Sequence, residues 1–267
     1  MLNAVSIVPW VEARAIGQPK LSGASVPLSM TCAGYDTEGE IVYNEYVVKC
    51  FADHPLKTRG LAREFIASLL GQVLGLNIPA IAVVQITPEL CAAARVTQWA
   101  EKICNSVGPN FGSWLVVHPF ESKDIRDSLI PLTVDVFAFD MLIQNLDRNA
   151  RKPNLFQSKA GLILIDHEKT FLCADPAMAL GGVPEPWDFS TLSPQNHLCY
   201  RKLKQQSIAF DSFAQKLSSI TEKILDEIFG QLPTEWSSPE IEHIRNHLIK
   251  ARNNADKFKR SLQEVLV

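Results

Sequence analysis

The stretch from Pro131 to Leu146 is apolar on nearly every side and leads directly into a polar segment. A helix of that composition must be buried, so the pattern predicts a helix in the core of the larger part of the fold. The stretch is too short to cross a bilayer and contains Asp135 and Asp140, so a membrane span is not expected. The polar segment that follows, Asn145 to Asp166, is therefore attached to a rigid element and becomes the main candidate for chemistry.

The elements before this helix form a pattern of strands around one helix. Tyr43 to Phe51 is rich in β-branched and aromatic residues, which predicts a strand that carries Lys49. Thr58 to Leu74 has apolar residues at helical spacing, and Gly75 stands where a C-terminal cap belongs. Further expected elements are a short strand within Gly17 to Cys32, strands at Pro79 to Ile86 and Ser113 to His118, and a helix-like stretch from Pro88 to Cys104.

The elements after the buried helix form a hairpin and then a mainly helical region. Leu155 to Ile165 contains two short apolar runs around the polar turn Ser158 to Gly161, which predicts a β-hairpin. Ser237 to Glu240 is a typical helix start, and the apolar residues from Ile241 to Leu262 form one stripe that we expect to pack on a partner surface of the domain. The whole pattern predicts an α+β fold.

Three histidines have no evident metal partner. His243 and His247 lie four residues apart, but Ile244 stands where the glutamate of an H-E-x-x-H motif belongs. We expect both to lie on the solvent side of the final helical region as a surface pair. His197 has no partner that the sequence identifies and is expected to be structural.

Composition and charge exclude several classes of protein. The chain has 267 residues, 46% of them hydrophobic, and a net charge of −3 from 26 basic and 29 acidic side chains. These values are ordinary for a soluble globular protein and provide no broad positive surface for nucleic acid. The N-terminal residues lack the basic n-region of a signal peptide. We therefore expect a cytoplasmic protein that binds neither nucleic acid nor membranes.

The six cysteines contain no C-x-x-C pair, which argues against a zinc ribbon or a redox pair. A disulfide framework is also not expected in a chain of this length. The prediction is scattered buried thiols in a reducing cytosol, at Cys32, Cys50, Cys91, Cys104, Cys173 and Cys199.

The polar segment contains a set of oxygen ligands and a separate carboxylate. Asp147 and Asn149 lie in a loop directly after the buried helix, Asn154 opens a strand, and Asp166 ends the next strand. An amide and a carboxylate at adjacent strand ends can converge on one Mg²⁺ ion, which prefers oxygen ligands. Asp147 would then be placed to accept or orient the proton of an attacking hydroxyl. Aspartate and asparagine are also common in ordinary loops, but the Lys49 strand and a glutamate-bearing helix upstream favour the functional interpretation.

These blocks resemble the HipA-like kinase family in its compact stand-alone form, and more distantly the phosphoinositide kinases. The resemblance extends from about Ser22 to the C-terminus, although only short blocks are specific. The matching pieces are YVVK with Lys49, Arg63-Glu64 in a helix that ends in GLNIP, Phe111-Gly112-Ser113, N-L-D-R-N from Asn145, P-N-L-F from Pro153, L-I-D-H from Leu164, and Leu232-Pro233-x-x-Trp236.

The resemblance implies a two-lobed, protein-kinase-like fold that uses ATP and Mg²⁺. Residues 1–118 would form a small β-rich N-lobe and residues 119–267 a larger, mainly helical C-lobe. Lys49 would hold the α- and β-phosphates of ATP, with Glu64 as its ion-pair partner; an acidic residue early in a helix is favourable in any case, and Glu45 is the rival partner.

The remaining assignments follow from the same resemblance. Asp147 would be the catalytic base, with Asn149 beside it in the catalytic loop, and Asn154 and Asp166 would hold the magnesium ion. The turn of Ser22, Gly23, Ala24 and Ser25 would offer backbone N–H groups to the phosphates. Adenine would lie near Phe120 and Glu121.

The sequence departs from the kinase pattern in its loops. Many kinases place the metal-binding asparagine five residues after the catalytic aspartate, where this chain has Lys152; Asn154 is seven residues on. Asp166-His167-Glu168 stands in place of D-F-G, and a G-x-G-x-x-G loop is absent. Arg151 and Lys152 either neutralise phosphate charge or are solvated loop residues.

The implied activity is phosphoryl transfer from Mg-ATP to a hydroxyl, on a protein serine or threonine or on the chain itself. Such kinases often serve as the toxin of a toxin–antitoxin pair, which would make an antitoxin-like protein a partner. The alternatives are a pseudokinase that acts as an interaction module, a kinase of a lipid or small molecule, and an enzyme that transfers AMP.

Overall fold

The computed structural model describes the chain in nine ranges. They are residues 1–19, 26–54, 56–117, 120–121, 125–145, 147–158, 161–175, 182–204 and 206–267. The structure is mixed α+β, as the sequence predicts, with a small barrel, a three-stranded sheet and a C-terminal region of helices. In these ranges no helix has the length and apolar character needed to cross a membrane.

A closed five-stranded barrel forms the N-terminal part of the fold. Its strands are β1 (Trp10–Pro19), β2 (Leu28–Tyr35), β3 (Ile41–Lys49), β4 (Ile81–Ile86) and β5 (Gly108–Trp114). They run in the order β1-β2-β3-β5-β4, and the barrel closes through a parallel pairing of β1 with β4. Its interior is apolar; Val11, Leu28, Met30, Val48, Val84 and Ile86 are among the side chains that fill it.

Helix α1 (Lys57–Val73) connects the barrel to the rest of the molecule. Almost every residue of α1 is buried, and the helix ends where Gly75 adopts a φ of +83°, as the sequence predicts for a C-terminal cap. Its Phe65 ring lies 5.9 Å from the ring of Trp236, in an edge-to-face contact. The helix therefore belongs to the large hydrophobic core and presents one polar residue, Glu64, toward the end of β3.

Strand β5 differs from the expected strand at Ser113 to His118. The structure begins it at Gly108 and ends it at Trp114, and it pairs with both β3 and β4. Glycine, proline and asparagine at its start have low strand propensity, so the sequence pattern does not favour a strand there. Tertiary contacts override that preference: Asn110 is fully buried, and its side chain accepts a hydrogen bond from the Phe51 N–H.

An insertion between β4 and β5 contains two short helices joined by a disulfide. These are α2 (Pro88–Ala94), capped by the Thr87 side chain, and α3 (Ala100–Cys104). Cys91 and Cys104 are disulfide-bonded, so the expectation that all six cysteines are free thiols is wrong. The other four are buried and form no disulfide. A 13-residue spacing within one insertion matches none of the motifs that sequence spacing identifies, but folding brings the two Cα atoms to 4.7 Å.

The buried helix predicted from the sequence is α4 (Ile130–Leu142), preceded in the chain by the short strand β6 (Phe120–Glu121). It ends four residues earlier than expected, because the chain turns back at Gln144, which has a φ of +54°. The Asn145 N–H then donates to the Asp140 carbonyl at 2.8 Å.

The predicted hairpin follows as β7 (Leu155–Ser158) and β8 (Gly161–Leu164), and β6 pairs with β7 to complete the small sheet.

The C-terminal region contains α5 (Tyr200–Lys204), α6 (Asp211–Ser218), α7 (Glu222–Phe229), α8 (Glu240–Asn253) and α9 (Ala255–Leu266). The single apolar stripe of the sequence is divided between α8 and α9, since the chain changes direction at Asn254. Phe258 of α9 then packs against Phe189 and Phe213.

The expectation that His243 and His247 form a surface pair is wrong for His247. His243 is exposed, but His247 is buried, and its Nε2 lies 2.8 Å from the Leu142 carbonyl oxygen at the end of α4. Because burial disfavours the charged ring, the pKa of His247 is lowered to about 4.

Candidate active site

Lys49, the last residue of β3, lies at the centre of a buried charge cluster. Its ammonium group is 2.8 Å from Glu64 Oε2, 2.6 Å from Asp166 Oδ1 and 3.2 Å from Glu168 Oε2. Burial alone would lower the pKa of Lys49, but the three carboxylates outweigh it and hold that pKa well above its ordinary value. The contact with Glu64 is the one expected from the sequence. The rival Glu45 lies on the exposed side of β3 and accepts a hydrogen bond from Thr31.

Glu168 is a member of this cluster to which the sequence gives no role. Glu64, Asp166 and Glu168 each offer an oxygen, and these oxygens lie within 4.8 Å of one another, a spacing that suits a metal ion. In this structure the ammonium of Lys49 contacts all three. His54 adds a contact of 3.0 Å from its Nε2 to Glu168 Oε2. Burial raises the pKa of Glu168, but His54 and Lys49 together lower it to about 2.

A second lysine joins Asp166 to Asp147. Lys152 Nζ lies 2.6 Å from Asp147 Oδ2 and 2.7 Å from Asp166 Oδ2, while Lys49 contacts the other oxygen of Asp166. Burial opposes the charged form of Lys152, yet the two carboxylates raise its pKa above the ordinary value. Both lysines likewise keep the pKa of Asp166 well below its usual range, against the effect of burial. Asp147 and Asp166, predicted from the sequence as base and metal ligand, are thus brought to the same place.

Asn154 lies beside Asp166 at the base of the hairpin. Its carbonyl oxygen accepts a hydrogen bond from the Ile165 N–H at 3.1 Å, which pairs the start of β7 with the end of β8. Asn154 and Asp166 have φ values of +47° and +61°, a left-handed conformation that asparagine and aspartate adopt more readily than most residues. Asn154 Nδ2 is buried and has no hydrogen-bond partner in the described part of the chain. A buried amide without a partner is costly unless a ligand satisfies that side chain.

The donor set at this position suits magnesium. The Asn154 amide nitrogen has no partner among the described residues, and the backbone pair of Asn154 with Ile165 brings Asn154 close to Asp166 along the hairpin. An amide group presents its oxygen instead of its nitrogen by a simple rotation. Hard divalent cations of this kind are bound by carboxylate and amide oxygens. The residues therefore fit the ion that the sequence implies.

A buried network holds the loop that carries Asp147. Arg148 Nε lies 2.6 Å from Asp140 Oδ2, and the Arg148 guanidinium also donates to the Asn154 carbonyl oxygen. His197 Nε2 is 2.8 Å from the same Asp140 oxygen, so His197 has a partner that the sequence does not identify. Burial raises the pKa of Asp140, but Arg148 and His197 outweigh it and place that pKa well below its usual range. The network links α4, the loop and the segment before α5.

The side chain of Asn149 is engaged with its own loop. Its Oδ1 accepts hydrogen bonds from the N–H groups of Arg151 and Lys152, at 2.9 Å and 3.1 Å. Its Nδ2 donates to the Asp147 carbonyl at 3.3 Å. These contacts form a tight turn that fixes the backbone of Lys152 relative to Asp147.

The structure describes only part of the two segments that are predicted to bind the nucleotide. Ser22, Gly23, Ala24 and Ser25 lie outside the described residues. Phe120 and Glu121 form β6, whose backbone pairs with Gln157 and Phe156; their side chains are outside the description.

A family model described as HipA-like kinase matches residues 29–265. No curated protein matches the sequence. Among solved structures, the crystal structure of a Helicobacter pylori proinflammatory kinase, CtkA, is similar at 14% sequence identity and a TM-score of 0.47, over 88% of this chain and 94% of that one. Because the family model spans most of its length, the chain belongs to the HipA-like kinase family.

Proposed function

We propose that this protein is an ATP- and magnesium-dependent kinase that transfers the γ-phosphoryl group to a hydroxyl of a protein serine or threonine, or of the chain itself. The observation that carries the proposal is one continuous row of ion pairs. It runs from Glu64 through Lys49, Asp166 and Lys152 to Asp147, over distances of 2.6–2.8 Å. A scaffold protein has no need to bury such a row, whereas phosphoryl transfer needs charges held in fixed positions.

The charges of the row favour binding of a cation. Lys49, Lys152 and the more distant Lys169 face the carboxylates of Glu64, Asp166, Glu168 and Asp147, an excess of one negative charge among these seven groups. Asn154 and Asp166 would hold the magnesium ion, which supplies charge neutralisation for the β- and γ-phosphates when it is bound with ATP. Lys49, kept charged by its neighbours, would hold the α- and β-phosphates, and Glu64 would keep Lys49 in place.

Asp147 is the proposed base. Its side chain is 16% exposed, so a hydroxyl can reach it, and Lys152 fixes one of its oxygens. Asp140, Arg148 and Asn149 are positioning residues in this scheme, since their side chains hold the loop of Asp147.

The same family assignment supports a division into two lobes. We infer an N-lobe of residues 1–118 and a C-lobe of residues 119–267, with ATP between them. Residues 22–25 would bind the phosphates, and the segment of Phe120 and Glu121 would bind adenine. The cytoplasmic location and the antitoxin-like partner stay predictions.

The test is incubation with Mg²⁺ and ATP labelled either at the γ- or at the α-phosphate. We expect γ-label transfer or ATP turnover by the wild type, and a loss of at least about 100-fold in Asp147→Asn and Asp166→Asn. Asp147→Asn should keep its nucleotide affinity, whereas Asp166→Asn should lose affinity for Mg-ATP. Asp135→Asn, which alters an aspartate paired with Lys216 elsewhere on α4, is the matched control and should be active. Transfer of the α-label alone would show that the proposed reaction class is wrong. Failure to bind or consume Mg-ATP would refute the proposal that the protein is an enzyme.

A further inference from the structure

Lys152 is held in place by the turn that contains it. Its N–H donates to Asn149 Oδ1 at 3.1 Å, and its carbonyl accepts from the Asn149 N–H at 3.1 Å. A lysine on a free loop loses much side-chain entropy when it forms an ion pair. Here the backbone is already fixed, so the side chain starts from a position that faces Asp147 and Asp166.

The ammonium of Lys152 bridges these two carboxylates. Each contact is an ion pair of 2.6–2.7 Å, and each uses the Oδ2 atom of the aspartate. The Lys152 side chain is 29% exposed and the two aspartates 16%, so the bridge is largely shielded from water. Two carboxylates this close repel each other unless a cation lies between them. In this chain the ammonium group of Lys152 lies between the carboxylates of Asp147 and Asp166.

Neighbouring cations differ from Lys152 in this respect. Lys49 contacts Oδ1 of Asp166, the opposite side of that carboxylate, and makes no bridge to Asp147 in the described structure. Lys169 is 3.7 Å from Asp147 Oδ1 and its side chain is half exposed. Arg151 is exposed at the tip of the turn. The alternative that Lys152 is a solvated loop residue is therefore not supported by its contacts.

We propose that Lys152 takes the place of a second divalent cation, so that the protein binds one metal ion with each nucleotide instead of two. This inference rests on the proposed kinase function. An ammonium group has three N–H donors. Two are directed at Asp147 and Asp166, which leaves a third for an oxygen of the transferred phosphoryl group. Lys152 would thereby hold the base, the metal-binding carboxylate and the phosphoryl group in one arrangement.

The test counts metal ions in the complex of the full chain with Mn²⁺ and the non-hydrolysable ATP analogue AMP-PNP. Mn²⁺ serves because its electron paramagnetic resonance signal distinguishes free from bound ions. We expect one bound Mn²⁺ per complex for the wild type and two for Lys152→Asn, which removes the charge and adds a neutral oxygen ligand. Lys152→Met removes the charge without adding a ligand, and it should also admit a second ion.

The control is Lys169→Ala, which removes the more distant and more exposed lysine near Asp147 and should still bind one ion. Circular dichroism at matched temperature checks that each variant is folded. Two ions in the wild type, or one ion in either Lys152 variant, would overturn the role of Lys152 while leaving the kinase proposal intact. No binding of Mn²⁺ and AMP-PNP by the folded wild type would instead overturn the kinase proposal and this inference with it.

Discussion

Arg148 Nε lies 2.6 Å from Asp140 Oδ2, and neither side chain is exposed to solvent. We expect Asp140→Asn to lower the free energy of unfolding by about 3–5 kcal/mol, because removing one partner of a buried pair leaves an uncompensated charge. Urea denaturation measures the change. Asp135→Asn on the same helix is the control; its partly exposed pair with Lys216 should be worth less than about 1 kcal/mol. Equal losses in the two variants would contradict the expectation.

The ion pairs of Lys49 lead to an expectation about pH. In the wild type the pKa of Glu168 is lowered to about 2, so its stabilising contribution is complete above its unfolded value, about 4.5, and is lost as the pH falls toward 2. In Lys49→Met the cation that lowers the pKa values of Glu64, Asp166 and Glu168 is gone, so these pKa values should be higher than in the folded wild type. At a given pH the folded variant then binds more protons than the folded wild type, so the destabilisation caused by the substitution should become smaller as the pH falls.

The measurement is urea denaturation of the wild type and Lys49→Met between pH 8 and pH 5. The destabilisation caused by the substitution should be largest at pH 8 and shrink toward pH 5. Lys216→Met removes a lysine that pairs only with Asp135 in the described structure. The difference in the free energy of unfolding between this variant and the wild type should hardly change over that pH range. A constant offset for Lys49→Met as well would show that the Lys49 cluster does not control the carboxylates.

The sequence predicts the elements whose signals are local. The strand of Lys49, helix α1 with its glycine cap, the buried α4 and the hairpin β7–β8 all appear close to their expected places. Hydrophobic periodicity and turn residues determine such elements within a short window. The contact of Lys49 with Glu64 was also expected, but from the family resemblance and not from periodicity.

The features that the sequence misses depend on contacts between distant segments. Strand β5 begins with poor strand formers, and only pairing on both of its edges makes it a strand. His54 and Glu168 are 114 residues apart, and His197 and Asp140 are 57 apart. The sequence around a histidine does not indicate which distant residue will contact it. Asp140 in an apolar helix is the one signal that could have indicated a buried ion pair.

The Cys91–Cys104 disulfide gives a direct chemical expectation. Alkylation of the unfolded, unreduced protein should modify the four cysteines outside the disulfide, and reduction beforehand should raise the count to all six. Mass spectrometry provides the count. Six modified cysteines without reductant would show that the bond is absent in solution.

The same bond should stabilise the fold. It closes a loop with a sequence separation of 13, for which the chain-entropy estimate is about 3 kcal/mol. Reduction should therefore lower the free energy of unfolding by up to about that amount, as measured with urea. The double variant Cys91→Ser, Cys104→Ser is the control, since a reductant should leave its stability unchanged.

His247 should make stability depend on pH in the weakly acidic range. Its pKa is lowered from 6.5 to about 4 in the folded protein, because the ring is buried and Lys250 lies nearby. Below pH 6.5 the unfolded chain binds a proton that the folded chain does not, so stability falls as the pH decreases from 6.5 toward 4. The full shift corresponds to a loss of about 3 kcal/mol.

Urea denaturation at pH 7, 6 and 5 tests this expectation in variants of two histidines on helix α8. His247→Gln should lose some stability at pH 7, because the glutamine side chain replaces the ring hydrogen bond to Leu142 imperfectly. Its free energy of unfolding should nevertheless fall less steeply with decreasing pH than that of the wild type. His243→Gln alters the exposed histidine on the same helix and should keep the wild-type slope. If both variants retain the full slope, the pH dependence arises from groups other than these two histidines.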